Sequence, residues 1–462
     1  MSISLDDYLC EDRGFIKNEQ MTNILVFGAG KSSSYLIKYL LDKAKKYFWQ
    51  VTVADSNLNA CLQRIGDNHF GTACQLDIHE EVLRKRLIAN ANIVISILPP
   101  ALHIVVARDC IELKKNLITA SYVSDDIRKL HEEARNNGLL FMNEIGLDPG
   151  IDHMSSMKVI HEIERLGGDI YSFKSYCGGL ISKQSDTNPW HYKISWNPRN
   201  IVLAGKSGAE FLEGGNEHHV KYPKLFQEYE MIDVPGYGKL AAYANRDSLS
   251  YRNLYGLENV QSMLRATFRH EDFCIGWNAV VNLNLTNEKD SFEGQQLTYL
   301  EWFMKATESI PGKTPQERIK KCSEGNSLAV DLIEWLGLFE NTSINLFTAA
   351  SSADILLKRI EEKWMMQEDD VDLIVMHHEF EYGRKNVTAK LCSTLIVEGE
   401  NKTYTAMAKT VGLPMAIFTK LFLTGKITKL YGVQIPTMKE VYKPVLKELS
   451  TMGIDFVETF KN

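Results

Sequence analysis

Two glycines separated by a single residue, Gly28 and Gly30 in "ILVFGAGKSSS", sit where a β-branched run gives way to a helical pattern. At such a junction Gly28 permits a tight turn. Gly30 lets backbone amides at the helix N-terminus approach an anionic group such as a pyrophosphate. Asp55 ends the next strand-like run about 25 residues on, near the spacing at which an acid binds a ribose. Its carboxylate would accept bonds from the ribose hydroxyls and repel a 2′-phosphate, so the pattern predicts NAD and makes NADP less favoured. Ser33 replaces the third glycine of Gly-x-Gly-x-x-Gly and predicts looser contact between helix and strand. Lys31 and Ser32 complete the loop. Asp77, the "ISILPP" run with Ser96, Ile97 and Leu98, and Thr119 are the further expected cofactor contacts, at the carboxyl ends of later strands where ligands of such sheets bind. A nucleotide-free domain with the same tight turn is the competing reading, and strand, helix and acid together favour the nucleotide.

These residues need a scaffold that alternates strands with helices. Strand-like "NILVF", "QVTVA", "ACQLD", "NIVISIL", "NLITAS" and "LLFMNE" are separated by helical patterns at 33–46, 79–91, 101–114 and 125–137. That alternation predicts a doubly wound parallel sheet, an α/β Rossmann domain. After Pro149 a helix near 152–165 leads into a Gly-, Tyr- and Asn-rich region with strand-like "SFKSYCG" and "LRATFRH". "LTYLEWFMKATES", "SLAVDLIEWLGLF" and "SADILLKRIEEKWMM" carry apolar residues at helical spacing, and "DLIVMHHEFEY" with "KNVTAKLCSTLIVEG" reads as a hairpin. The expected division is a dinucleotide-binding domain at 21–150 completed by 405–462, an α+β substrate domain at 151–296 and 367–404, a small all-α insertion at 297–366, and an N-terminal extension at 1–20. The apolar helix "TAMAKTVGLPMAIFTKLFLTG" should be interrupted at Gly412 and Pro414 and packed against the first domain.

A chain of 462 residues with 44% hydrophobic and 24% charged side chains has ample sequence for two or three cores. A formal charge of -7 gives no global attraction to nucleic acid or anionic lipid. No stretch reads as long and apolar enough to span a bilayer, and the acidic first twenty residues do not read as a secretory signal. Eight scattered cysteines without a Cys-x-x-Cys pair predict neither disulfides nor zinc, and fit a cytoplasmic setting. The pairs His218–His219 and His377–His378 are adjacent and point apart, so no metal is expected. The tryptophans of the helical region, with Met365 and Met366, are expected in its core.

Several blocks taken together are more specific than the glycine loop: "ITASYVS" (118–124), "MNEIGLDPGIDHM" (142–154), "SYCGGL" (175–180), "YKISWNPRNIVLAG" (192–205), "PGY" (235–237), "ANRDS" (244–248), "LRATFRH" (264–270) and "EWLGLF" (334–339). In this order they resemble the glutamate-forming saccharopine dehydrogenase family. The resemblance implies a Rossmann domain, a mixed domain carrying substrate and dimer contacts, a small helical domain and a homodimer. It implies an oxidoreductase of lysine metabolism that oxidises the secondary amine of saccharopine and hydrolyses the imine to glutamate and 2-aminoadipate 6-semialdehyde.

Saccharopine bears three carboxylates, and guanidinium forks match carboxylates better than ammonium groups do, which suits Arg246 and Arg269. By resemblance Ser121, Tyr122, Asp148, Arg246, Thr267, Phe268 and Arg269 line the substrate pocket. Asp148, Tyr122 and Cys177 are then the ionisable candidates for catalysis, with Cys177 equally readable as a small packing residue. Two alternatives stay open: a carboxynorspermidine-type dehydrogenase of polyamine synthesis, and a non-catalytic nucleotide-binding protein.

Overall fold

The computed structural model describes residues 21–294, 296–384 and 387–461, so the N-terminal extension lies outside the described residues. Six of the seven strands of the first sheet lie in the expected segments: β1 (Thr22–Phe27), β2 (Trp49–Asp55), β3 (Gly71–Gln75), β4 (Ile93–Ser96), β5 (Asn116–Thr119) and β6 (Leu140–Met142). Their order is β6-β5-β4-β1-β2-β3, all parallel, with Ile24 of β1 opposite both Val51 and Ile93. Such strands are buried on both faces, which is why they read as continuous apolar runs rather than alternating ones. Helices Ser34–Tyr47, Glu81–Asn90 and His103–Glu112 cross between them. The segment at 125–137 forms two short helices, Asp125–Lys129 and His131–Asn136, and a further helix, Leu58–Ile65, stands where the periodicity gave no signal.

The chain returns to this sheet near its end. Strand Gly432–Gln434 pairs in parallel with β6, placing Gly432 opposite Leu140. Helix Ala406–Leu423 runs unbroken through Gly412 and Pro414, in contrast to the expected interruption. The physical reason is packing: a Cβ on Gly412 would lie 2.8 Å from the backbone nitrogen of Leu36, so this glycine lets the two helices approach closely, and the helix is buried against the first domain. By length and composition this one helix could cross a membrane, which corrects the expectation that no segment qualifies. It is 72% buried within the protein and forms part of the core shared with Leu36, Leu40 and Val441.

The second sheet has ten strands of mixed direction. Its central strand β7 (Asp169–Ile181) pairs in parallel with Ser262–Arg269 and antiparallel with Asp372–Arg384, so that Cys177 faces Thr267 on one side and Met376 on the other. Asp372–Arg384 and Val387–Glu398 form a hairpin, and Val457–Lys461 adds to its outer edge. Between 297 and 366 lie helices Tyr299–Ala306, Pro315–Cys322, Ser327–Trp335 and Ser352–Lys363, together with strand Leu346–Ala350, which pairs with Phe292–Gly294. Trp190, Trp277, Trp302 and Trp364 build a core there. Met366 joins the interior, but Met365 is exposed, because the helix stops at Lys363 and the bridge of Met365 to Ile194 turns consecutive side chains to opposite sides.

Candidate active site

Gly28 leaves β1 with φ of 107°, a conformation open to glycine, and a Cβ there would stand 2.9 Å from Ile97. The same Cβ test at Gly30 meets nothing within 4 Å, so this part of the loop is open to a ligand. Asp55 shapes the loop from beneath. Its Oδ2 accepts the Ala29 N–H at 2.8 Å and its Oδ1 accepts the Asn57 N–H at 2.9 Å. The buried Ser33 hydroxyl, at the position of the third glycine, donates to Gly30 O at 2.8 Å and ties the turn together. Lys31 reaches the other domain, donating to Ile194 O at 3.3 Å. Asp77 lies exposed beyond β3, where it accepts the His79 N–H. The loop, its open face and the helix that follows fit a dinucleotide held by Gly28 to Ser33 and Asp55.

The carboxyl ends of β4 and β5 are joined by a side chain that the sequence reading did not single out. His103 lies between Ser96 Oγ, 2.8 Å from its Nδ1, and Ser121 Oγ, 2.7 Å from its Nε2. Thr119 Oγ1 accepts the Ser121 N–H at 3.2 Å. Burial pushes the imidazole down to about 4, so His103 is neutral near pH 7 and one ring nitrogen donates while the other accepts. Ile97 and Leu98 flank the same edge, half-buried.

A second constellation lies where the loop after β6 meets the mixed sheet. Tyr122 OH donates to Asp148 Oδ1 at 2.9 Å. Arg265 Nη2 donates to Asp148 Oδ1 at 2.6 Å and to Asp152 Oδ2 at 2.7 Å, and lies 3.2 Å from Tyr122 OH. Burial holds the Asp148 carboxyl above the usual carboxylate range, with Arg265 opposing. Behind it, Glu144 accepts from Tyr251 OH at 2.9 Å and lies 2.8 Å from His153 Nε2. Although burial opposes it, the His153 contact keeps the Glu144 carboxyl low. This cluster borders a cavity of about 900 Å³ whose wall includes Tyr122, Arg128, Glu144, Arg246, Tyr251 and Arg265.

Comparison with known proteins matches this architecture over most of its length. The model of the saccharopine dehydrogenase NADP binding domain matches residues 24–142, and that of the saccharopine dehydrogenase C-terminal domain matches residues 146–454. The chain belongs to the saccharopine dehydrogenase family. It is 31% identical to saccharopine dehydrogenase [NADP(+), L-glutamate-forming] of Pyricularia oryzae, over 92% of this chain and 96% of that protein. It is 34% identical to alpha-aminoadipic semialdehyde synthase of Arabidopsis thaliana over 90% of this chain, which corresponds to 41% of that longer protein. The solved apo saccharopine dehydrogenase (L-Glu forming) of Saccharomyces cerevisiae superimposes with a TM-score of 0.83 at 29% identity, covering 96% of this chain and 100% of that one.

In this member of the saccharopine dehydrogenase family the expected pocket residues divide into two groups. Tyr122 and Asp148 are in contact, Arg246 stacks its guanidinium 5.1 Å from the Tyr122 ring, and Ser121 joins them through the loop after β5. Arg246 is exposed at the cavity wall with φ of 54°. Phe268 is elsewhere: it faces the opposite side of its strand and stacks on Tyr176 at 5.1 Å, so it packs the sheet and does not line the pocket. Arg269 is buried between the rings of Tyr192 and Phe273, with Nη1 donating to Phe268 O and Nε without a partner. Thr267 shares its face, since alternate strand residues point the same way. Cys177 is buried, and burial together with Asp148 and Asp152 pushes its thiol well above the ordinary value, so it is a neutral group here and not a thiolate.

Arg265, like His103, is a residue the sequence reading passed over. The signal was present in "LRATFRH", where period-two alternation sets Arg265, Thr267 and Arg269 on one face. The four adjacent histidines have local partners: His377 Nδ1 lies 2.8 Å from Thr394 Oγ1, His378 Nε2 lies 2.8 Å from Ser155 Oγ, His218 stacks on Phe211, and His219 Nδ1 lies 3.4 Å from a Glu210 carboxylate oxygen. One group among the described residues, His377, Glu379 and Cys392, brings possible metal-binding atoms within 4.8 Å of each other. Lys390 stands 3.1 Å from Glu379 and supplies the positive charge there.

Proposed function

We propose that this protein oxidises saccharopine at the carbon beside its secondary amine and hydrolyses the resulting imine to glutamate and 2-aminoadipate 6-semialdehyde, a reaction of lysine metabolism. The observation that carries this reading is the arginine-walled cavity beside the Tyr122–Asp148–Arg265 cluster, in a chain that covers nearly all of its glutamate-forming relatives. Arg265 is committed to two aspartates. Arg128 and Arg246 make no ion pair among the described residues, which leaves two guanidinium groups for substrate carboxylates.

A nicotinamide dinucleotide, when bound, supplies the hydride acceptor. The protein's own part is to manage protons. The secondary amine must be neutral for its lone pair to form the C=N bond as hydride leaves, and Asp148 accepts the proton that the ammonium gives up. Water then adds to the imine carbon. A proton returned to nitrogen lets the C–N bond break, releasing glutamate and the aldehyde. Tyr122 holds Asp148 in place, and neutral His103 fixes Ser96 and Ser121 at the edge where the nicotinamide would lie.

We place NAD ahead of NADP. Asp55 is fixed by two backbone N–H groups at the end of β2, and its negative charge opposes a 2′-phosphate. The relatives' names carry NADP(+), which supports the other nucleotide and makes a side-by-side assay the first measurement. Saccharopine with either nucleotide should give absorbance at the reduced-nicotinamide band, and Arg246→Ala should raise the KM for saccharopine at least about tenfold. Turnover with carboxynorspermidine alone, or unchanged kinetics in Arg246→Ala, would refute the assignment.

A further inference from the structure

Arg265 carries one positive charge and touches two carboxylates with the same nitrogen, Asp148 at 2.6 Å and Asp152 at 2.7 Å. All three side chains are largely buried, so one cation must serve two acids in a medium that screens little. The acids differ in their other partners. Asp152 accepts the Gly150 N–H at 2.5 Å, lies 3.6 Å from His153 Nδ1 and occupies the first turn of helix Ile151–Arg165, where free N–H groups favour negative charge. Among the described residues, Asp148 has only the Tyr122 hydroxyl as a side-chain partner besides Arg265. The better-supported acid keeps its charge, and the proton affinity left over falls on the other.

The remaining groups that face the pair leave this balance in place. Cys177 on β7, Tyr251 and Tyr255 next to the strand of Arg265, and His378 on Asp372–Arg384 are all kept uncharged by burial. His153 is shared with Glu144 and Tyr255, and Arg246 lies over the ring of Tyr122.

We infer that Asp152 is a positioning residue: by drawing on the charge of Arg265 it keeps Asp148 able to take up and release the substrate's proton. This rests on the reading of Asp148 as the group that exchanges protons with the substrate nitrogen. The directions of titration agree with the geometry. Burial holds Asp148 above the usual carboxylate range, whereas at Asp152 burial is outweighed by His153 and Arg265, which hold it below.

The test is the pH dependence of kcat/KM for saccharopine oxidation in Asp152→Asn, Asp152→Glu and Asp148→Asn. With the charge of Asp152 removed, Arg265 serves Asp148 alone, and the acid limb should move down by about one pH unit or more. Asp152→Glu, which keeps the charge, should return the limb toward that of the unaltered protein. Asp148→Asn should abolish the limb. If it does so while Asp152→Asn leaves the limb in place, the role of Asp152 is refuted and the reading of Asp148 survives. If Asp148→Asn retains the limb, both are overturned. Should Asp152→Asn not fold, Asp152→Ser, which keeps an acceptor for Gly150 and removes the charge, carries the same expectation and the same refutation.

Discussion

His103 Nε2 lies 2.7 Å from Ser121 Oγ, so a helix residue after β4 holds the first polar side chain after β5. The contact is made by a neutral ring whose folded pKa is about 4, against 6.5 in an unfolded chain. Between these values the unfolded state binds a proton that the native state does not. Stability associated with His103 is therefore complete above pH 6.5 and is lost as pH falls toward 4, by about 1.4 kcal/mol per pH unit. Urea unfolding at pH 7.5 and 5.0 should show this loss, and His103→Gln should show a smaller one. An equal loss in the variant would assign the effect to other groups.

Tyr122→Phe removes the hydroxyl that donates to Asp148. A hydrogen bond to a charged group contributes about 1.5–3 kcal/mol, so kcat/KM should fall by roughly 10- to 100-fold. The lost donor favoured the ionised carboxyl, so the acid limb should also move to higher pH, opposite to the shift expected for Asp152→Asn. Steady-state profiles of the two variants measured together check the sign.

Asp55→Ser removes the charge at the end of β2 and leaves a hydroxyl that can still serve Ala29. The ratio of kcat/KM for NADP over NAD should rise by about 10- to 100-fold, because a like-charge opposition worth a few kcal/mol is gone. A ratio that does not move would locate nucleotide choice elsewhere in the loop.

Gly412→Ala should destabilise the protein even though alanine favours helix by about 1 kcal/mol. The added methyl would meet the Leu36 backbone at 2.8 Å, and backbone cannot rotate aside. Overpacking of this kind costs about 1–3 kcal/mol, so the net effect read from the urea midpoint should be a loss. A gain in stability would show that the two helices can separate at no cost.

The nucleotide loop was legible in the sequence because it is local. The Gly28 turn, the following helix and Asp55 depend on backbone conformation and on one βα unit, and all lie within about thirty residues. Strand segments were legible for a similar reason, since a parallel sheet covered on both faces demands short apolar runs. The Tyr122–Asp148–Arg265 cluster was only half legible. Tyr122 and Asp148 stood out through their sequence blocks, but Arg265 is 117 residues from Asp148 and meets it only because strand Ser262–Arg269 pairs with β7 in one register. That register also turned Phe268 away from the pocket and left Arg269 enclosed by aromatic rings. The same holds for helix Ala406–Leu423, where residues that disfavour a helix locally are accepted because Gly412 fits against Leu36. Sequence alone determined the turns and periods that neighbours in the chain impose on one another. Tertiary structure decided which distant charges share a partner, because that depends on strand register and burial, and short-range spacing encodes neither.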